Sequence, residues 1–299
     1  APRQPFDRHE AVPTMLLRAA AFAIRNLRFN RTKLTRCYHS FRNEGRKIDR
    51  IALSGSGWLL PFHVGAVHVL QEMGMVDEET CYAGASGGSL VATAICCGFS
   101  HEEIMSYVSE MAHWYRTPNG GFGKLEAEMR KRFYDILPED AMEKISGRLT
   151  ISILPLDPRN MLNQKMVSDF QSTDDLVEAV LTSSFIPLYL APTFAKRYRN
   201  EWCVDGGIGN AVPFYEGSIS ICPLPGTGKA ATNKFHPARL IASDVHITPD
   251  LLKNDKSFTI PAYPKVLRRA LIPGTDEELW TQFELGVASA KVWAESGSA

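Results

Sequence analysis

The chain has 299 residues, 44% hydrophobic and 22% charged, and its 33 basic and 33 acidic side chains cancel to a formal net charge of zero. That composition excludes a disordered or low-complexity chain and suits one sizeable domain with an appendage. Six cysteines without C-x-x-C spacing, most of them in apolar runs, argue against a disulfide framework and for buried, reduced thiols.

The charge is unevenly spread. Residues 1–50 hold twelve Lys/Arg against four Asp/Glu, and the remainder holds 21 against 29. From Ala11 to Asn43 there is no acidic residue, while Arg18, Arg25, Arg28 and Arg31 recur among Leu16, Leu17, Phe22, Ile24 and Leu27. Residues 1–48 therefore read as a basic extension: an organellar transit segment, a helix on a membrane surface, or a basic helix packed on the domain.

Beyond it, strands and helices alternate. Arg50 to Gly57 reads as a short strand closed by glycines, and the next stretch as a helix begun by Pro61 and ended by Gly74. "CYAGAS" and "GGSLVATAICCG" repeat the strand, sharp turn and helix. Further helices are expected at 102–115, 125–136 and 173–182, and strands at 149–154, 201–205 and 218–222. This is the α/β pattern of a largely parallel sheet with helices on both faces, in which ligands bind at the carboxyl ends of the strands. Both glycine-rich turns fall there. The last fifty residues read as Pro-punctuated loops followed by a helix, with Thr275 and Glu278 as a capping box and Leu279, Phe283, Val287 and Ala290 on one face. The expected divisions are 1–48, 49–245 and a C-terminal helical appendage at 246–299.

The uncharged window from Cys81 to Ser100 has the length of a membrane span, but its four glycines and strand-like first third favour a buried strand and helix. Within it, Gly84-Ala85-Ser86-Gly87-Gly88 fits G-x-S-x-G, a strained turn that lifts a serine hydroxyl out of a sheet. A serine nucleophile needs an oxyanion site and a base. Gly55, Ser56, Gly57 and Trp58, at the end of the first strand, can supply backbone donors; the competing dinucleotide reading fails because position 60 is Leu60. Gly226-Thr227-Gly228-Lys229 fails as a phosphate loop because Ala230 follows it. Asp205, after an apolar strand and before Gly206-Gly207, is either the base or the first residue of an Asp-Gly turn. His246 keeps a Ser-Asp-His order open. His63 and His68 read as packing residues on the first helix, and no histidine has partners at metal spacing.

The ordered stretches "SGSGWLLPFHVGA", "GASGGS", "SSFIPLY" and "VDGG" resemble the patatin-like phospholipases over roughly residues 51–223. The resemblance implies a three-layer α/β/α fold with Ser86 as nucleophile, Asp205 as base, no catalytic histidine, Gly55 to Trp58 as the oxyanion loop, and Gly84 and Gly88 as elbow glycines. It also implies that 185–189 borders an acyl pocket. The chain departs from the family where Leu59-Leu60-Pro61 replaces a further loop glycine, so the donors must lie upstream. The expectation is a serine acyl hydrolase of phospholipids, galactolipids or acylglycerols, needing no metal or organic cofactor. It would work on a membrane or lipid-droplet surface, without nucleic acid, as an intracellular, peripherally attached protein, with a plastid or mitochondrion suggested by the basic end. The rival expectations are a non-catalytic lipid-surface protein with a degenerate loop and a Ser-Asp-His esterase.

Overall fold

The computed structural model describes residues 47–157, 163–208, 210–229, 237–240, 242 and 244–296. The basic N-terminal stretch lies outside the described residues. Seven strands among those described form one sheet: β1 (Arg50–Leu53), β2 (Cys81–Ala85), β3 (Leu149–Pro155), β4 (Lys165–Val167), β5 (Lys196–Tyr198), β6 (Glu201–Val204) and β7 (Ile219–Ile221). The order is β5-β6-β3-β2-β1-β7, with β4 also paired to β3. The four strands β7, β1, β2 and β3 are mutually parallel, and β4, β5 and β6 are antiparallel additions. Ile51, Leu53, Tyr82, Ala83, Leu149, Ile151 and Ile153 are all buried, as strands covered on both faces require.

The helices are α1 (Pro61–Glu72), α2 (Gly87–Cys96), α3 (His101–Tyr115), α4 (Leu125–Ile136), α5 (Ala141–Ile145), α6 (Thr173–Ser183), α7 (Tyr263–Leu271) and α8 (Asp276–Glu295). The sheet is mixed, mostly parallel and flanked by helices, the α/β architecture expected. The capping box of Thr275 and Glu278 is formed, and α8 packs along α1. The two helices cross backbone to backbone: a Cβ at Gly65 would lie 2.1 Å from the Phe283 carbonyl oxygen, and one at Gly286 2.1 Å from that of Phe62. Leu279, Phe283, Ala290 and Trp293 thereby join the main core.

One segment departs from its reading. Residues 263–271 form α7 rather than loop, because Pro264 stands in the first helical turn, where its missing N–H leaves no helical hydrogen bond unmade. No helix among the described residues is long and apolar enough to cross a membrane.

Candidate active site

Ser86 joins β2 to α2 with φ 50° and ψ −126°, a conformation that a residue with a Cβ adopts at a cost of about 1–3 kcal/mol. The surroundings enforce it. Its N–H donates to Ser183 Oγ (3.0 Å), which in turn donates to the Ser152 carbonyl (2.7 Å). Its carbonyl accepts from the Ser89 N–H (2.8 Å) and the Ser89 hydroxyl (2.7 Å). Gly84 and Gly88 permit the tight approach of strand and helix: a Cβ at Gly84 would lie 2.5 Å from the Gly88 oxygen, and one at Gly88 2.4 Å from that of Leu53.

The antiparallel return of β6 along β3 carries Asp205 to this turn. Ala85 pairs with Ser152, Leu154 with Val204, and a Cβ at Gly206 would meet the Ser152 carbonyl at 1.9 Å. The Asp205 N–H donates to the Phe185 carbonyl (2.8 Å), and the Gly206 N–H to that of Ser183 (2.9 Å). Oδ1 accepts the Gly207 N–H at 2.7 Å, whereas Oδ2 is buried with no hydrogen-bond partner among the described residues. Burial pushes the Asp205 carboxyl up to about 6; the neighbouring Ser86 hydroxyl and the Gly207 N–H temper the rise. The Ser86 hydroxyl is thus a neighbour of the carboxyl, whose Oδ2 has no hydrogen-bond partner among the described residues.

The loop after β1 supplies the third part. Among the described residues, the N–H groups of Ser56, Gly57 and Trp58 have no hydrogen-bond acceptor, whereas those of Leu59 and Leu60 donate to Ser56 and Gly57. Gly55 departs from its expected role. Its N–H donates to the Ala211 carbonyl at 2.7 Å, and a Cβ added there would lie 3.4 Å from Gly207 Cα and 3.6 Å from Ser86 Cβ. Gly57 has φ 50°, and a Cβ there would strike the Ala270 carbonyl oxygen at 2.0 Å. The loop rests on Gly87, where a Cβ would lie 2.4 Å from Ser56 Oγ and 3.0 Å from Gly57 N. Gly87, the first residue of α2, has no helical acceptor for its own N–H. It adds a donor beyond those expected from the sequence, though the position after the serine in G-x-S-x-G signals it. Leu60 sits at φ −54° and ψ −25°, so the absent family glycine asks nothing unusual of this backbone. Trp58 is buried against Tyr115 and donates its indole N–H to Tyr189 Oη at 2.8 Å.

The histidines point elsewhere. His63 lies fully buried beneath the loop with Nε2 3.0 Å from the Ser54 carbonyl, and burial takes its pKa down to about 4, leaving a neutral ring that donates to that oxygen. His246 Nδ1 accepts from the Ser220 N–H at 3.1 Å and meets the Ser220 hydroxyl at 2.8 Å, while Nε2 is 3.1 Å from Lys229 Nζ. Both nitrogens of His246 thus engage residues other than Ser86 and Asp205. Phe185 is buried beside Asp205, and Leu188, at φ 64°, is exposed.

Comparison with known proteins places the chain in a family. Residues 51–217 match the family model described as patatin-like phospholipase. The chain is 32% identical over 193 residues to omega-hydroxyceramide transacylase of Mus musculus, covering 60% of this chain and 31% of that protein. It is 30% identical over 237 residues to patatin-like phospholipase domain-containing protein 2 of Homo sapiens, covering 74% and 46%. It is 27% identical over 249 residues to patatin-like phospholipase domain-containing protein 4 of Homo sapiens, covering 80% and 94%. The chain therefore spans less than half the length of the first two relatives and nearly all of the third. With more than half of its residues inside the family model, the elbow, the returning aspartate and the donor loop included, the chain belongs to the patatin-like phospholipase family.

Proposed function

We propose that the chain is a lipid acyl hydrolase working through a Ser86–Asp205 dyad. The observation that carries this reading is the buried, unpartnered Oδ2 of Asp205 beside the strained Ser86. A carboxylate of ordinary pKa is a weak base; one raised to about 6 is a better proton acceptor and is still ionised at neutral pH. Ser86 Oγ attacks the ester carbonyl while its proton passes to Asp205. The oxyanion is met by the N–H groups of Gly57 and Gly87 at the amino end of α2, where the helix dipole adds to the donors. Collapse breaks the ester bond, and Asp205 returns the proton to the leaving alcohol. Water, deprotonated by the same carboxylate, then releases the fatty acid and regenerates Ser86.

The cycle draws on no metal or organic cofactor. Phospholipids, galactolipids or acylglycerols, presented on a membrane or lipid droplet, are the proposed substrates. His246 has no part in it, consistent with its ring being engaged by Ser220 and Lys229. The test combines a fluorophosphonate label with product analysis on mixed lipid. Labelling lost in Ser86→Ala, with release of free fatty acid lost in Asp205→Asn and kept in His246→Ala, supports the dyad. Absence of labelling in the parent chain removes the enzyme, and loss in His246→Ala removes the dyad. Acyl groups appearing on an added alcohol rather than as free acid would replace hydrolysis by transfer, the activity that the Mus musculus relative is named for.

A further inference from the structure

Helix α7 lies over the donor loop. Val266 is buried and, with Ala270 beside it, packs with Leu59, Ala211 and Leu224 in a small second core. The Ala270 carbonyl lies against Gly57. Tyr189 fastens the end of the helix, donating from Oη to the Leu271 carbonyl (2.6 Å) while accepting the Trp58 indole N–H (2.8 Å). The inner side of α7 is thus committed to the loop.

Its outer side is divided in a particular way. At ~100° per residue, Leu267, Leu271 and Pro264 share an arc of ~60° that begins ~100° round the helix from Val266, and Arg268 and Lys265 occupy the next arc of the exposed surface. Leu267 is 39% exposed and Leu271 42%, and Ile272 continues the apolar strip just past the helix. Nearby, Phe122 is 63% exposed, and its ring stands edge-on at 4.9 Å to Tyr189, the residue whose hydroxyl holds the Leu271 carbonyl (2.6 Å). Large apolar side chains of this number on one outward surface are not explained by packing. An apolar strip bordered by basic residues has the composition of a helix that lies in the plane of an anionic lipid interface.

We propose that α7 is a docking helix for an anionic lipid surface. Leu267, Leu271, Ile272 and Phe122 enter the boundary between headgroups and acyl chains, Arg268 and Lys265 meet the headgroup charge, and the donor loop fixed beneath the helix comes to lie at the interface. This device uses residues 263–272 and Phe122 and draws on no residue of the basic N-terminal stretch. It rests on the lipid-ester reading for the choice of surface but not for any chemical step.

The test uses the full chain carrying Ser86→Ala, so that binding is read without turnover, and vesicles of phosphatidylcholine with or without phosphatidylserine. Hydrogen exchange within 263–272 should slow when vesicles are added. In co-sedimentation, Leu267→Ser with Leu271→Ser should weaken binding to both compositions at least tenfold. Arg268→Gln and Lys265→Gln should each weaken it about fivefold on the phosphatidylserine vesicles alone, with the loss fading in high salt. Unchanged exchange in 263–272 overturns the proposal, as does unchanged partition of variants whose melting shows them folded. If the serine pair lowers the solution mass from dimer to monomer without touching partition, the strip is a self-interface and the proposal falls. Slowed exchange in 263–272, together with a parent chain that keeps Ser86 and still takes no fluorophosphonate label, leaves the docking helix standing and removes the hydrolase.

Discussion

Two turns at the ends of neighbouring strands solve similar problems differently. After β1, the left-handed position falls on a glycine, Gly57 at φ 50°. After β2, it falls on Ser86 at the same φ, with ψ −126°. On the proposed chemistry the first turn presents N–H groups, and a residue without a side chain does this without strain. The second, on the same proposal, presents a hydroxyl, which glycine lacks, so the fold carries the strain there and holds it with Ser183 and Ser89. Strain marks the side-chain chemistry, and glycine marks the backbone chemistry.

Ser86→Gly should break this contrast most sharply. Removing the proposed nucleophile is expected to lower turnover about 10⁶-fold. Relief of the strained φ/ψ should raise stability by about 1 kcal/mol after the entropic cost of glycine, whereas Ser86→Ala, equally inactive, keeps the strain. Urea denaturation of the two inactive variants isolates the backbone effect. Equal stabilities would mean that the turn is not strained. Gly57→Ala is next: the positive φ and the collision with Ala270 should displace the donors, lowering kcat by about 10²–10³ together with the melting temperature. Gly74→Ala is its control, since that residue has φ 68° but a Cβ added there would meet nothing within 4 Å; it should cost about 1–2 kcal/mol and leave kcat alone.

The two turns also differ in how far a linear reading reaches them. Strand, serine and helix from Cys81 to Cys96 are legible because strand propensity, glycines and an apolar helix adjoin in the chain. The fate of the Gly55 N–H is not legible, because its acceptor, Ala211, is 156 residues away in sequence. The return of Asp205 likewise depends on β3 running on to Pro155, so that β6 can pair backwards along it. The three-residue strands β4 and β5 are too short to show a period. Helix α7 hides behind a proline that starts it rather than breaks it.

Asp205→Asn sharpens the comparison through pH. The folded carboxyl titrates near 6, above its unfolded value of 3.8, so the folded chain binds the proton more tightly. Stability from this group is complete below about pH 4 and is lost as pH rises through 6, amounting to about 3 kcal/mol at neutrality. His63 runs oppositely: its pKa falls from 6.5 to about 4, so its contribution is complete above 6.5 and is lost as pH falls. The two partly cancel in the parent chain, and the difference curve between parent and Asp205→Asn separates them. That curve should favour the variant increasingly from pH 4 to 6 and then flatten, while parent activity rises across the same window. A flat difference would mean that Asp205 is not desolvated.

The smallest effect is expected at Ser183, which belongs to neither turn but ties both partners of the proposed dyad. Its hydroxyl accepts from Ser86 and donates to Ser152, and its carbonyl accepts from Gly206. Ser183→Ala leaves that last bond intact and strands the other two groups in a buried site, costing about 1–3 kcal/mol. Ser89 still holds the Ser86 carbonyl, so the elbow should loosen rather than open, and the rate of fluorophosphonate labelling should fall about tenfold. Were labelling unchanged while stability fell by the full amount, Ser183 would support the packing of β2 and β3 alone, and the strain at Ser86 would be maintained by Ser89 and the adjoining glycines.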